Sequence, residues 1–360
     1  MKIFNIPIEP LEERYTKQMD TWVKNTFKKR KLNFTTIYGK PLTSKVESGR
    51  VLDAEGTNYY KFSQLMQICE LFKKGEVKKG DVFFIGDLWF PGLESIKYIA
   101  ALEEIDIKIF GVVWAGSFDH ADFVYDAGME PWAQHIERGW FDLADGLFVG
   151  AKNIRDDIVK RHRIKYSSKV HITGGPWDTK SIQNRVIKRK KQKVVIFPHR
   201  FDYEKRPDKF LKLAEIICKE RDDVKFLITT SRHNIRSSRP WLVKKYYATK
   251  KKLGDKIDFK YGLTKDQYYQ YLSDSKIFWS SAEQETFGYA TLEALALNTI
   301  PVVPNKLSYI DYIPKKYRYD TFEQGVKLVR KYLNKEEEIS TIAERYDTAL
   351  NKMIDIMIKK

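Results

Sequence analysis

Twice along this chain, short apolar and β-branched runs alternate with segments of helical periodicity, and that double alternation is what most limits the folds open to it. In the first half the runs are KIFNIPI, FTTIYG, DVFFIGD, IKIFGVVW, GLFVGA and KVHITGG; between them YKFSQLMQICELFKKG and ESIKYIAALEEI carry apolar residues at helical spacing. After residue 176 the pattern lapses into DTKSIQNRVIKRKKQ, polar and basic with no clear apolar face, and then restarts with KVVIFPHR, VKFLITTS, IDFKYGL, KIFWSSA and TIPVVPN. Such alternation marks parallel sheets built from βαβ units. The expected fold is α/β, two Rossmann-like domains facing a central cleft. Residues 1–176 form the first domain, 177–192 a linker, 193–335 the second domain and 336–360 a C-terminal helix. The stripe Ile339, Ile342, Ala343, Tyr346, Ala349, Leu350, Met353 and Ile354 lets that helix pack on either domain. A length of 360 residues suits two domains of about 150 each.

Composition narrows the function classes. Hydrophobic residues at 42% and aromatics at 14% exclude a disordered chain. No apolar run approaches the roughly 18 residues of a bilayer span. The start, MKIFNIPIEPLEERY, reads as a first strand rather than a signal peptide, so a cytoplasmic protein is expected. Cys69 and Cys218 are too few and too isolated for a disulfide framework or a thiolate metal site. His135, His162, His171 and His233 lack paired ligands at metal spacing, and a zinc site is not expected. The net charge of +17 favours a polyanionic partner, either nucleic acid or an anionic membrane, unless it is only a lysine-rich, solvated surface. Basic clusters fall at Lys28–Lys31, at Arg161, Arg163 and Lys165, at Lys188, Arg189, Lys190 and Lys191, and at Lys244–Lys245 with Lys250–Lys252.

The sharpest motif runs from Glu285 to Glu293, ETFGYATLE, between the strand KIFWSSA and the helix TLEALALN. Gly288 allows close approach of backbone to a ligand, and the N–H groups at the helix start can hold a phosphate. The competing reading makes Glu285 a first-turn charge and Glu293, placed two turns in, part of a solvated helix face. A second motif, FPHR, ends the first strand of the second domain at Arg200, with Lys205 following; a fork and a point charge at a strand-to-helix turn can together hold a diphosphate. These two residues also read as surface cations. No Walker loop and no GxGxxG fingerprint is present, so ATP hydrolysis and hydride transfer lose support.

Taken in order, Arg200, Lys205, Glu285, Phe287-Gly288 and Glu293 resemble the donor site of the family 4 retaining glycosyltransferases with the GT-B fold. The resemblance covers roughly residues 193–320. It implies that Arg200 and Lys205 bind the donor diphosphate, that Glu285 contacts the transferred sugar and that Glu293 binds the nucleotide ribose. It also implies a nucleotide-sugar donor, UDP-glucose being expected, used as a substrate without a metal or other cofactor. More narrowly, FPHRFDYEKRPDKF and ETFGYATLEALALNTIPVVPNKLSY resemble tRNA-queuosine mannosyltransferases and bacteriophage glycosyltransferases of modified DNA bases. In the first half IPIEPLEERYTKQMDTW, GDLWFPGLES and WAGSFDHADFVYDAGMEPWAQHIERGWF are similar to the phage group.

The function these features imply is retaining transfer of a hexose to a hydroxymethylated pyrimidine in double-stranded DNA, in the host cytoplasm for a phage protein. The alternatives are a surface-polysaccharide or glycolipid enzyme, a tRNA-queuosine glycosyltransferase, and a nucleic-acid-binding protein without activity. The fourth strand ends at Trp114-Ala115-Gly116, where the family carries a His-containing turn, and the next His is His120. Asp119 and His120 are therefore the acceptor-side candidates, with Gly92 a weaker one. Lys188–Lys191 and Arg161, Arg163 and Lys165 are the candidate DNA contacts. Trp89, Phe90, Trp114, Trp132, Trp140 and Phe141 offer stacking surfaces for a flipped base, unless they serve the core.

Overall fold

The computed structural model describes residues 1–12, 14–41, 57–120, 122–162, 167–230 and 234–359. The chain divides into two compact units, Met1–Trp177 with Thr348–Lys360, and Asp178–Asp347.

In the first unit six parallel strands stand in the order β2-β1-β3-β4-β5-β6. They are β1 (Ile3–Ile6), β2 (Phe34–Thr36), β3 (Val82–Ile85), β4 (Lys108–Val113), β5 (Gly146–Val149) and β6 (Val170–Ile172). Strands β1, β3 and β5 are buried along their whole length. Parallel strands covered on both faces must be apolar throughout, which is why each was visible as an unbroken run. The core joins Phe4, Phe83, Ile85, Ile109, Leu147 and Val149 to the helices Leu93–Leu102 and Glu130–Leu143.

The second unit repeats the plan with β7 (Gln192–Phe197), β8 (Lys225–Thr229), β9 (Ile257–Lys260), β10 (Ser275–Trp279), β11 (Ile300–Pro304) and β12 (Arg318–Tyr319), all parallel, in the order β12-β11-β10-β7-β8-β9. The chain winds from β7 to β9 in one direction, then returns beside β7 with β10 and continues the other way. The strand order therefore reverses between β7 and β10, the place where open α/β sheets bind ligands outside the strands' carboxyl ends.

Two boundaries differ from the sequence reading. The stretch 177–192 is not a bare linker. Residues from Asp178 onward belong to the second unit and include the helix Thr179–Gln183, started by Asp178, whose side chain accepts from Ser181 N. Ile182 on that helix is fully buried, one apolar anchor too few for a periodic signal. Nor is 336–360 one helix: Ser340–Glu344 lies in the second unit and Ala349–Lys359 in the first, so the apolar stripe is shared between them. Arg30 holds the last helix through Asp355 at 2.9 Å. No helix among the described residues is long and apolar enough to cross a membrane.

Candidate active site at the reversal point of the second sheet

The loops after β7 and β10 are stitched together. Glu283 N donates to Glu204 O at 2.7 Å, and Ser281 Oγ donates to Arg206 O at 2.9 Å. Lys205, buried, sends its ammonium to Gln284 O at 2.5 Å and lies 3.3 Å from Glu285 Oε2. The sequence places these two residues 80 apart, and the adjacency of β7 and β10 brings them into contact. Arg200 lies on the same loop but does not reach Glu285; its guanidinium is exposed and pairs with Glu204 at 2.9 Å.

Gly288 opens the helix Tyr289–Ala296 with φ at +81°, and a Cβ there would stand 2.3 Å from the Tyr312 hydroxyl and 3.5 Å from Glu285 Cγ. Only glycine fits this position. Phe287 is 1% exposed and packs on Tyr289 and Tyr346, so its side chain anchors the loop rather than offering itself to a ligand. Glu293 sits one turn into the helix, not two, and is 3% exposed. This overturns the solvated-face reading. Its carboxylate accepts from Lys265 Nζ at 2.9 Å, Tyr269 OH at 2.9 Å and Tyr268 OH at 2.7 Å. Burial beside Glu293 raises the Tyr268 phenol well above its ordinary pKa, which keeps it a neutral donor to that carboxylate.

Buried polar atoms without a hydrogen-bond partner gather at this same sheet edge: His199 Nε2 after β7, Thr229 Oγ1 at the end of β8, and Ser308 Oγ and Tyr312 OH after β11. Native proteins satisfy almost all such atoms with protein, water or ligand groups. His199 packs between Phe197 and Phe278, and burial, with Lys205 and Arg200 nearby, holds its imidazole neutral, far below the usual pKa.

In the first unit, Asp119 N donates to Gly116 O at 3.0 Å in the turn after β4, and the exposed His120 ring packs 4.4 Å from Tyr125. That turn is organised by Glu137, a fully buried carboxylate that the sequence did not flag. It accepts from Ser117 N at 2.7 Å, from Ser117 Oγ and from Trp89 Nε1, and His162 Nε2 lies 3.0 Å away. A Cβ on Gly116 would strike Glu137 Oε1 at 2.2 Å. Gly92 is explained by its φ of +89° and by Leu65, whose Cδ2 would lie 2.4 Å from a Cβ. Phe90, Trp114, Trp140 and Phe141 are core residues; among the nominated aromatics only Trp132 is exposed. A small cavity of about 20 Å³ at the carboxyl ends of β1 and β3 is bordered by Asn5, Pro7, Asp20, Phe84 and Gly86.

Of the nominated cations, Lys191 is corrected outright. Its ammonium donates to Ser273 O at 2.6 Å, Ser275 O at 3.1 Å, Leu297 O at 3.0 Å and Thr299 Oγ1 at 3.0 Å, and burial lowers its pKa to about 8. It closes the base of the second sheet and is spent there. Lys188, Arg189 and Lys190 are exposed, with Arg189 Nη1 3.6 Å from Asp274. Arg161 is exposed on the helix Lys152–His162, while Arg163 and Lys165 lie outside the described residues, as does His233.

Residues 178–352 match the family described as glycosyl transferases group 1. The match falls on the second unit and the start of the last helix. Over 173 residues, 47% of the chain, it is 27% identical to a tRNA-queuosine alpha-mannosyltransferase of Drosophila melanogaster, and it spans 44% of that protein's length. Among solved structures, the lipopolysaccharide outer core galactosyltransferase WaaB superposes at a TM-score of 0.67 with 15% identity, covering 100% of this chain and 99% of that one. Anabaena HepE in complex with UDP-glucose superposes at 0.60 with 8% identity, covering 98% and 95%. At these identities the likeness concerns the fold, which is GT-B. The group 1 match ends at residue 352, inside the helix Ala349–Lys359.

Proposed function

We propose that this protein is a retaining, nucleotide-sugar-dependent hexosyltransferase that moves glucose from UDP-glucose to a hydroxymethylated pyrimidine in DNA. The observation that carries the transferase reading is the meeting of Lys205 and Glu285 at the reversal point between β7 and β10, within the residues that match the group 1 glycosyl transferases. In the reaction the acceptor hydroxyl oxygen forms a bond to the anomeric carbon on the face from which the nucleotide leaves, the bond from that carbon to the diphosphate breaks, and the hydroxyl proton passes to the departing diphosphate oxygen. Negative charge grows on the leaving diphosphate, and the Lys205 ammonium and Arg200 guanidinium stabilise it there. Glu285, held against Lys205, faces the transferred sugar. Glu293, fixed by Lys265, Tyr268 and Tyr269, presents its remaining lone pairs to the ribose. Asp119 and His120 are assigned to the acceptor side.

The nucleic-acid acceptor rests on the net charge of +17 and on the motifs shared with enzymes of modified bases. The mannosyltransferase relative favours a second reading, a queuosine-bearing tRNA as acceptor. The experiment is a panel of nucleotide sugars incubated with hydroxymethylcytosine DNA, hydroxymethyluracil DNA and queuosine tRNA, read by mass spectrometry of digested nucleosides. A hexose added to either DNA nucleoside supports the first reading, addition to queuosine replaces it by the second, and donor hydrolysis without transfer to any of the three refutes both acceptors while keeping the donor site.

A further inference from the structure

The helix Pro240–Leu253 carries Lys244, Lys245, Lys250, Lys251 and Lys252 and contains no Asp or Glu. Its inner face, Leu242, Tyr246 and Thr249, is buried. On its outer face two aromatics remain in solvent, Trp241 at 44% and Tyr247 at 56% exposure, interleaved with Lys244 and Lys251, which have no carboxylate partner among the described residues. Arg236 and Arg239, just ahead of the helix, are exposed as well. Trp241 meets Tyr203 edge-on at 6.4 Å, and Ser238 N donates to Asp202 Oδ1 at 2.7 Å, so this surface is continuous with the loop that bears Arg200 and Lys205.

We infer that the outer face of Pro240–Leu253 is the DNA-binding surface of this protein, its lysines meeting backbone phosphates and Trp241 and Tyr247 stacking on unpaired bases. The inference rests on the DNA reading above and relocates the contact from Lys188–Lys191. Unpaired cations beside exposed rings are what a charged backbone with stackable bases requires. An anionic membrane fits less well: a helix lying in a lipid interface separates an apolar face from a charged one, whereas here the apolar face is spent on the sheet and the exposed rings alternate with lysines.

The test measures binding of a fluorescent DNA oligonucleotide, single-stranded and duplex, by the full chain across a range of salt. Both substituted lysines are exposed, so Lys244→Ala/Lys251→Ala should fold normally, lower the magnitude of the log-log salt slope by about two and weaken binding roughly tenfold or more at 0.1 M salt. Trp241→Ala should weaken single-stranded binding several-fold at unchanged slope. Lys188→Ala/Arg189→Ala/Lys190→Ala should leave both unchanged. An unaltered slope in the lysine pair, with normal wild-type binding, overturns this surface and leaves the DNA reading standing. Wild-type protein that binds no DNA, prefers an RNA hairpin, or binds phosphatidylserine vesicles through these lysines overturns both. UDP affinity, measured alongside, reports separately on the donor site.

Discussion

Among the described residues each unit buries one glutamate beside its sheet, and the two are held in different ways. Glu137 draws its partners from three separate segments: the loop after β3 through Trp89, the turn after β4 through Ser117, and the end of the helix Lys152–His162 through His162. Glu293 draws all of its partners from the start of one helix, Lys265–Asp274, which is also fixed by its own capping box of Thr264 and Gln267. A carboxylate that ties three segments together is part of the architecture. One held from a single helix that stands without it is available for another task, and it lies at the sheet edge where polar atoms lack partners.

The difference breaks most visibly at Glu137. Glu137→Ala leaves the donors Trp89 Nε1, Ser117 N and Ser117 Oγ without their acceptor inside the first unit, and each buried group left unsatisfied costs about 1–3 kcal/mol. Chemical denaturation should show the loss, while UDP affinity, a property of the second unit, stays as it was. Retained stability in this variant would make Glu137 as dispensable as Glu293 is expected to be and erase the contrast.

Lys205→Ala tests the opposite side. Turnover should fall by on the order of 10²–10³, as for loss of a group that stabilises transition-state charge, while the melting transition shifts only slightly, because the removed contacts are confined to Gln284 O and Glu285 in one loop after β10. If the protein unfolds instead, Lys205 is a structural pin and its phosphate role is wrong. Arg200→Ala should behave alike with a smaller stability change, since its single partner, Glu204, is local. Glu293→Gln should be milder still. It exchanges a charge-assisted bond to a ribose hydroxyl for a neutral one and weakens donor binding by about 1–2 kcal/mol. Isothermal titration with UDP measures this directly, and unchanged affinity together with unchanged turnover would detach Glu293 from the donor.

The strands were legible because burial on both faces leaves no room for polar residues; β12, Arg318–Tyr319, was missed because two residues make no pattern. The donor-site residues were legible as motifs, but the contact between Lys205 and Glu285 was not, because it depends on β10 returning to pair with β7. Lys191 was misread because a basic run looks the same whether its members face water or, like this one, reach inward to carbonyls. Glu137 gave no local signal at all, its partners being Trp89, Ser117 and His162. For Glu293 a signal existed in Lys265 and Tyr268-Tyr269, a cation and phenols spaced to share one helical face.

The smallest effect expected is also the one that reports on the donor site without catalysis. His199 is buried in the second unit, and its pKa is held below the unfolded value by burial first and then by Lys205 and Arg200. Between the two values the unfolded chain binds a proton that the native protein refuses, so stability is lost as pH falls below about 6.5, by at most about 1.4 kcal/mol per pH unit. Urea unfolding at pH 7.5, 6.5 and 5.5 should show this loss in the wild type and less of it in His199→Gln. The carboxylates of Glu137 and Glu293 remain in both proteins, so the difference between the two slopes belongs to His199. A diphosphate bound at Lys205 and Arg200 offsets their positive charge and makes protonation of His199 easier. With saturating UDP the part of the shift that comes from Lys205 and Arg200 should therefore shrink, while the larger part that comes from burial stays. Equal slopes for wild type and His199→Gln without UDP would mean that the buried ring does not resist protonation.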